Sequence, residues 1–401
     1  MSSFVWIDHS EKQRRQVMDA IDLFREKDTR DELGIAIVRD AISDALFPGT
    51  GSLQTRARYF FFVPWMYRKL EEEGATESDV ARKGREIELT LIDTLAEHAG
   101  PGAGVIGIMA RRTLQRTPAS VYWNGLRTLG IMSQDWSHVE YHRSLASKRR
   151  VEKDDDGTPL GTSSRAWHGG LPSAPPTFPL SVDLALRGPE ADYLKERVVE
   201  SHRSSLLAFL LLRGPEVSDA AFAWEHPACH ALSPPLARQV AHARLFSESM
   251  YGAAILYNLW LAEMEPKRPH IVDECRGLLE EWSAGVEAIR TDLAAWSLDD
   301  FWLFIRSCGA KPSEMSRIFV ERWIGYVRKT ADLERLVDDR DARELIATRE
   351  QAIKGALARF ANARSREVWQ GAAGLGRMDF RWSNAQVILN DIGDGMRGID
   401  A

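Results

Sequence analysis

The chain has 401 residues, of which 44% are hydrophobic, 27% charged and 9% aromatic, so it has apolar surface for a sizeable core and a length suited to two or three domains. Its 13 Trp, 15 Phe and 8 Tyr exclude a solvated coil, and its longest dense apolar run, Leu206 to Leu212, falls far short of the ~20 residues that cross a bilayer. The formal net charge of -6 favours solubility and says nothing of fold.

Helical periodicity dominates in chain order. Val17, Ala20, Ile21 and Phe24 recur at three- and four-residue steps, which predicts a helix over 13–24. Leu33, Ile37, Ala41 and Ala45 repeat the pattern over 32–47, and Pro48-Gly49 ends it. The stretch 54–73 carries Tyr59, Phe60, Phe61, Phe62, Trp65 and Tyr67. Four consecutive aromatics cover every side of a helix, so this element is expected to be buried nearly all round, with Pro64 kinking or dividing it; a strand over 58–63 is the alternative. A helix from Thr76, with Thr76 or Ser78 as cap, carries Ile87, Leu91, Ile92 and Leu95 and stops at Gly100-Pro101-Gly102. A short helix is expected near 105–114 and another over 119–129, opened by Pro118 and closed by Gly130.

Residues 152–180 are rich in Pro, Gly, Ser and Asp and read as a linker. The expected organisation is an N-terminal helical domain over 1–151, this linker, and a C-terminal helical domain over 181–401. In the latter, helices are expected over 190–212, 236–264, 272–293, 301–307, 313–329 (with Ser313 as cap), 340–363 and 381–392, the last ending at Gly393. No repeat of fixed period occurs and few segments alternate with period two. The fold class read from this pattern is mainly α: a multi-helix protein of two helical domains.

The letters Gly102-Ala-Gly104-Val-Ile-Gly107 match a dinucleotide fingerprint, but a helix precedes them and no acid stands about 20 residues on. They read as a turn or a close packing contact. Gly49-Thr-Gly51-Ser52 lacks the lysine of a phosphate-binding loop. His138 and His142 share a helix face without a third ligand nearby, and His226, Cys229 and His230 hold a metal only if a distant fourth group arrives. No GxSxG elbow is present. These readings leave no catalytic residue, no cofactor and no metal site to name. Cys229, Cys275 and Cys308 fit neither a zinc ribbon nor a redox pair and suit a reducing compartment. The N-terminus MSSFVWIDHSEKQRRQ lacks signal-peptide character. A cytoplasmic location, with no membrane partner, is expected.

The informative anomaly is electrostatic. Residues 98–150 hold eight Lys+Arg and two Asp+Glu, while the segments on either side are net acidic. No acid occurs between Glu97 and Asp135. Arg111, Arg112, Arg116 and Arg127 lie in that window, and Arg143, Lys148, Arg149 and Arg150 follow. A basic insert in an acidic chain is what a phosphate-facing surface needs. The plainer alternatives are a solvated face, or a patch docked on the chain's own acids, such as Glu71–Glu73. RRTLQRTPASVYWNGLRTLG, over 111–130, reads as a helix-turn-helix, loosely winged-helix-like, with Arg111, Arg112 and Arg116 on phosphates. Arg56 and Arg58 extend the same surface in this reading. Trp123, Leu126 and Leu129 read as core.

The stretches FVWIDHSEKQRRQVMDAIDLF and FPGTGSLQTRARYFFFVPW, continued by SVYWNGLRTLGI and the C-terminal helices, resemble the bacterial family known as domain of unknown function 6361 over nearly the whole chain. The resemblance brings no reaction and no catalytic residues. It implies an accessory protein of the kind encoded among helicases and nucleases in defence islands. The expected function is a non-enzymatic accessory role in bacterial antiviral defence or DNA processing, binding DNA or a partner helicase or nuclease through the basic segment. A protein-interaction scaffold is the alternative, and an enzyme whose site is assembled from distant residues is a third class.

Overall fold

The computed structural model describes residues 31–98, 100, 102–147, 166–214, 218–265 and 267–398. The helix expected over 13–24 lies outside them. Among the described residues the secondary structure is helical, with one isolated antiparallel bridge between Met132 and Trp167. The chain is mainly α, as its periodicity predicts. No described helix is long and apolar enough to cross a membrane.

Two compact units are present, and neither is continuous in sequence. Of the described residues, the first unit takes 31–42 and 241–378, and the second takes 43–240 and 379–398. Residues on both sides of the expected linker at 152–180 therefore belong to one unit. The hydrophobic pattern marks elements, whereas the grouping of elements depends on which stripes face each other.

The first unit is organised by indole rings. Trp282 Nε1 donates to the Glu248 carbonyl at 2.8 Å, Trp323 Nε1 to that of Ser249 at 2.7 Å, and Trp260 Nε1 to that of Val337 at 2.9 Å. Each buried ring thus fills volume and satisfies its one polar atom. These partners lie on or pack against α8 (Pro234–Glu263). A Cβ at Gly252 would meet the Trp282 ring at 2.1 Å, so only glycine admits the indole there. The same unit also contains α9 (Pro269–Ala288), α10 (Arg290–Ala295), α11 (Leu298–Ser307), α12 (Glu314–Lys329) and α13 (Arg340–Lys354). The single helices expected over 272–293 and 340–363 are each broken, the second at Gly355, whose φ of 54° is glycine's region. Ser313 caps α12 by accepting from Ser316 N, as expected.

In the second unit, α1 (Ala36–Leu46) carries the division after Ile42 and ends just before Pro48-Gly49. The aromatic stretch forms α2 (Tyr59–Glu72), buried from Tyr59 to Tyr67 without interruption. Pro64 lies inside it and does not divide it. The ring removes one backbone hydrogen bond, and burial of ten side chains outweighs that loss. The strand alternative is not realised. Next come α3 (Glu77–His98), which begins after Thr76, then α4 (Pro118–Thr128), α5 (His138–Ser147), α6 (Gly188–His202) and α7 (Leu206–Arg213). The helix expected over 190–212 is two, because Ser205 turns out of helical φ/ψ and caps the second by accepting from Ala208 N at 3.1 Å. The last helix (Trp382–Arg397) packs on α6 and runs past Gly393 to Gly398. Gly395 is an approach point: a Cβ there would lie 2.9 Å from the Cβ atoms of Ala191 and Leu186.

Candidate nucleic-acid interface

The segment between α3 and α4 departs from the expected helix-turn-helix. Its first helix is absent, and the described residues over 102–117 hold only the 3-10 turn Arg111–Thr113. Gly102, Gly104 and Gly107 have φ of 80°, 88° and 84°, and Arg111 itself has φ of 46°. Four left-handed residues in ten forbid a helix. With no strand hairpin among the described residues, there is no wing either. The second helix is as expected: Pro118 occupies its first turn, Thr117 accepts from Ser120 N, and Gly130 follows it at φ 64°.

Two of the three glycines of the fingerprint-like stretch serve packing, and Gly102 has open space around it. A Cβ at Gly104 would meet the Arg56 side chain at 2.9 Å, and one at Gly107 would meet Leu114 at 2.6 Å and Ile92 at 3.0 Å. Thr55 Oγ1 donates to the Gly104 carbonyl at 2.6 Å, and Ile106 N donates to the Tyr59 hydroxyl at 2.9 Å. At the far end, Ala119 N donates to Glu88 Oε1 at 2.9 Å, while burial raises that carboxyl's pKa. The loop is thus fastened at its root, and its tip is left to solvent.

The six arginines differ in how far they are exposed. Arg56 and Arg58 are used internally. Arg56 Nε lies 3.0 Å from both carboxylate oxygens of Asp391, and its Nη1 donates to the Ala103 carbonyl at 3.2 Å. Burial pushes the Asp391 carboxyl up, against the pull of Arg56. Arg58, 3% exposed, reaches Asp183 Oδ1 at 2.5 Å and Glu190 Oε1 at 3.0 Å and lies over the Phe62 ring. Neither extends the basic surface as expected. Arg111 and Arg127 form ion pairs at the surface, with Asp93 and Asp135. Arg112 and Arg116 are exposed. Arg85 on α3 donates to the carbonyls of Arg112 and Leu114, at 3.2 and 2.8 Å, which holds this stretch against α3. Arg143 is exposed, and Lys148, Arg149 and Arg150 lie outside the described residues.

Met109 was not anticipated from sequence. It is 92% exposed, two residues before Arg111. An isolated methionine in a sequence reads as core filler, so only the loop's geometry reveals it. Trp123 and Leu126 are buried core, as expected.

His138 and His142 share a face of α5, with ring centroids 4.4 Å apart. The Tyr67 hydroxyl bonds His138 Nε2 and lies 3.4 Å from His142 Nε2. Trp123 packs on His138 at 4.5 Å. Among the described residues no group of three ligating side chains gathers here or at His226–Cys229–His230. There, His226 Nδ1 accepts from Ala228 N at 3.2 Å, and burial pushes the Cys229 thiol up to about 11. Burial, reinforced by His142, pushes His138 down to about 4. An unfolded histidine titrates near 6.5, so between about pH 6.5 and 4 the unfolded chain holds the extra proton and stability falls as pH falls. One proton sets a limit of about 1.4 kcal/mol per pH unit, and partial exposure keeps the slope below it. The urea midpoint is expected to drop from pH 7 to pH 4.5 in the native chain and to drop less in His138→Gln.

The model of the family described as "Family of unknown function (DUF6361)" matches residues 1–396, and the chain belongs to that family. No curated protein and no solved structure matches it.

Proposed function

We propose that this DUF6361 member binds the phosphate backbone of a nucleic acid through the loop 107–116, with Arg112 and Arg116 as the primary contacts. The observation that carries this reading is the exposure of both guanidiniums on a loop fastened at its root, beside a Met109 side chain held in water. Arg111 and Arg127 add to it. Their exposed pairs with Asp93 and Asp135 are worth less than ~1 kcal/mol, so phosphate can replace the carboxylate at little cost. An apolar side chain beside arginines suits a wedge against a groove or a base step. In this reading the chain is an accessory protein of a DNA-processing or antiviral assembly, and it presents nucleic acid to a helicase or nuclease.

The test is a salt titration of a fluorescent DNA duplex. Phosphate contacts from these four arginines give a log–log slope near -3.6, so affinity falls about 150-fold between 50 and 200 mM salt. Absence of binding at low salt, or binding indifferent to salt, overturns the proposal and favours the protein-interaction scaffold.

A further inference from the structure

The first unit contains a buried charge network that plays no part in the loop above. Glu32 and Glu350 are 5% and 0% exposed. Glu32 Oε2 accepts from Lys354 Nζ and, at 2.6 Å, from Arg359 Nη1. The Tyr257 hydroxyl has one proton and gives it to Glu350 Oε1 at 2.5 Å, while accepting from Arg359 Nη1 at 3.0 Å. Glu350 Oε2 accepts from Phe360 N at 3.0 Å. Two carboxylates and two cations balance in charge, and both oxygens of Glu350 have donors.

Glu32 does not balance in hydrogen bonds. Its donors converge on Oε2, and its buried Oε1 has no partner. Buried carboxylate oxygens are almost always satisfied, so an orphan one points to a missing donor. Glu32 and Tyr257 also line a cavity of ≈ 340 Å³, within the size of small-molecule sites. Met250, Ala254 and Leu375 supply its apolar wall. Arg377, also on the wall, forms an ion pair with Glu248 at 3.2 Å and lies over the Tyr251 ring, with no hydrogen bond at its Nε. The cavity wall therefore joins apolar side chains to a carboxylate oxygen without a donor, beside the charged Asp31, Arg39 and Arg377.

We propose that this cavity binds a small primary amine with an apolar body, whose ammonium donates to Glu32 Oε1 while the body packs on Met250, Ala254 and Leu375. The alternative donor, water, satisfies Oε1 without discriminating among ligands. Saturation-transfer NMR on the full chain separates the two, with benzylamine and toluene as probes. Benzylamine is expected to bind saturably and at least 10-fold more tightly than toluene. Glu32→Gln is expected to weaken benzylamine at least 10-fold, though it disturbs a buried network and can unfold the unit. Ala254→Leu leaves the network intact and fills the cavity from a half-buried position; it is expected to weaken benzylamine by the same factor. Equal affinity for the two probes, absence of saturable binding, or benzylamine binding unchanged in Ala254→Leu overturns the proposal.

Discussion

Arg58→Ala is expected to destabilise the second unit by about 3–5 kcal/mol, the range for removing one partner of a buried ion pair. The guanidinium is 3% exposed and bridges two carboxylates from a distant part of the chain. Asp183, half-exposed, can rehydrate when the arginine goes. Glu190 cannot, since its side chain is 8% exposed. It would keep the Arg187 N–H on Oε2 at 3.0 Å and lose the partner of Oε1. The Phe62 face would lose its cation as well. Urea unfolding followed by tryptophan fluorescence measures the change. Arg111→Ala is the control: its pair with Asp93 is exposed, so its expected cost is below ~1 kcal/mol. A loss at Arg58 no larger than at Arg111 would mean that water replaces the guanidinium, contrary to the geometry.

That comparison also shows where sequence reasoning reaches its limit. Arg58 and Arg111 look alike in sequence, each in a basic, acid-poor neighbourhood. Their difference is made by acids far along the chain: Asp183 and Glu190 for Arg58, and for Arg56 an Asp391 that is 335 residues away. Linear charge counts cannot register such partners. Local chemistry was more legible. Thr117-Pro118 and Ser313 mark helix starts because capping and the fixed proline φ act within one turn. The same logic at Ser205 was masked by the apolar run that follows it, which made two helices read as one. The short helix expected near 105–114 failed for a local reason, since Gly102, Gly104 and Gly107 all take positive φ. Units discontinuous in sequence were beyond reach, because the stripe on α8 does not say which other stripes it faces.

The loop reading reduces to two side chains. Arg112→Glu with Arg116→Glu replaces two exposed cations by anions on a segment whose backbone is held from α3 by Arg85. Neither guanidinium is buried, so the fold should be unaffected, and an unchanged urea midpoint is the check. Each lost phosphate contact lowers the salt slope by about 1, and reversal adds repulsion. The most direct measurement is therefore the affinity of this double variant for the same DNA duplex at 50 mM salt, beside that of the native chain. The account predicts at least a 100-fold loss, with the salt slope falling by about 2. Affinity and slope matching those of the native chain would contradict it.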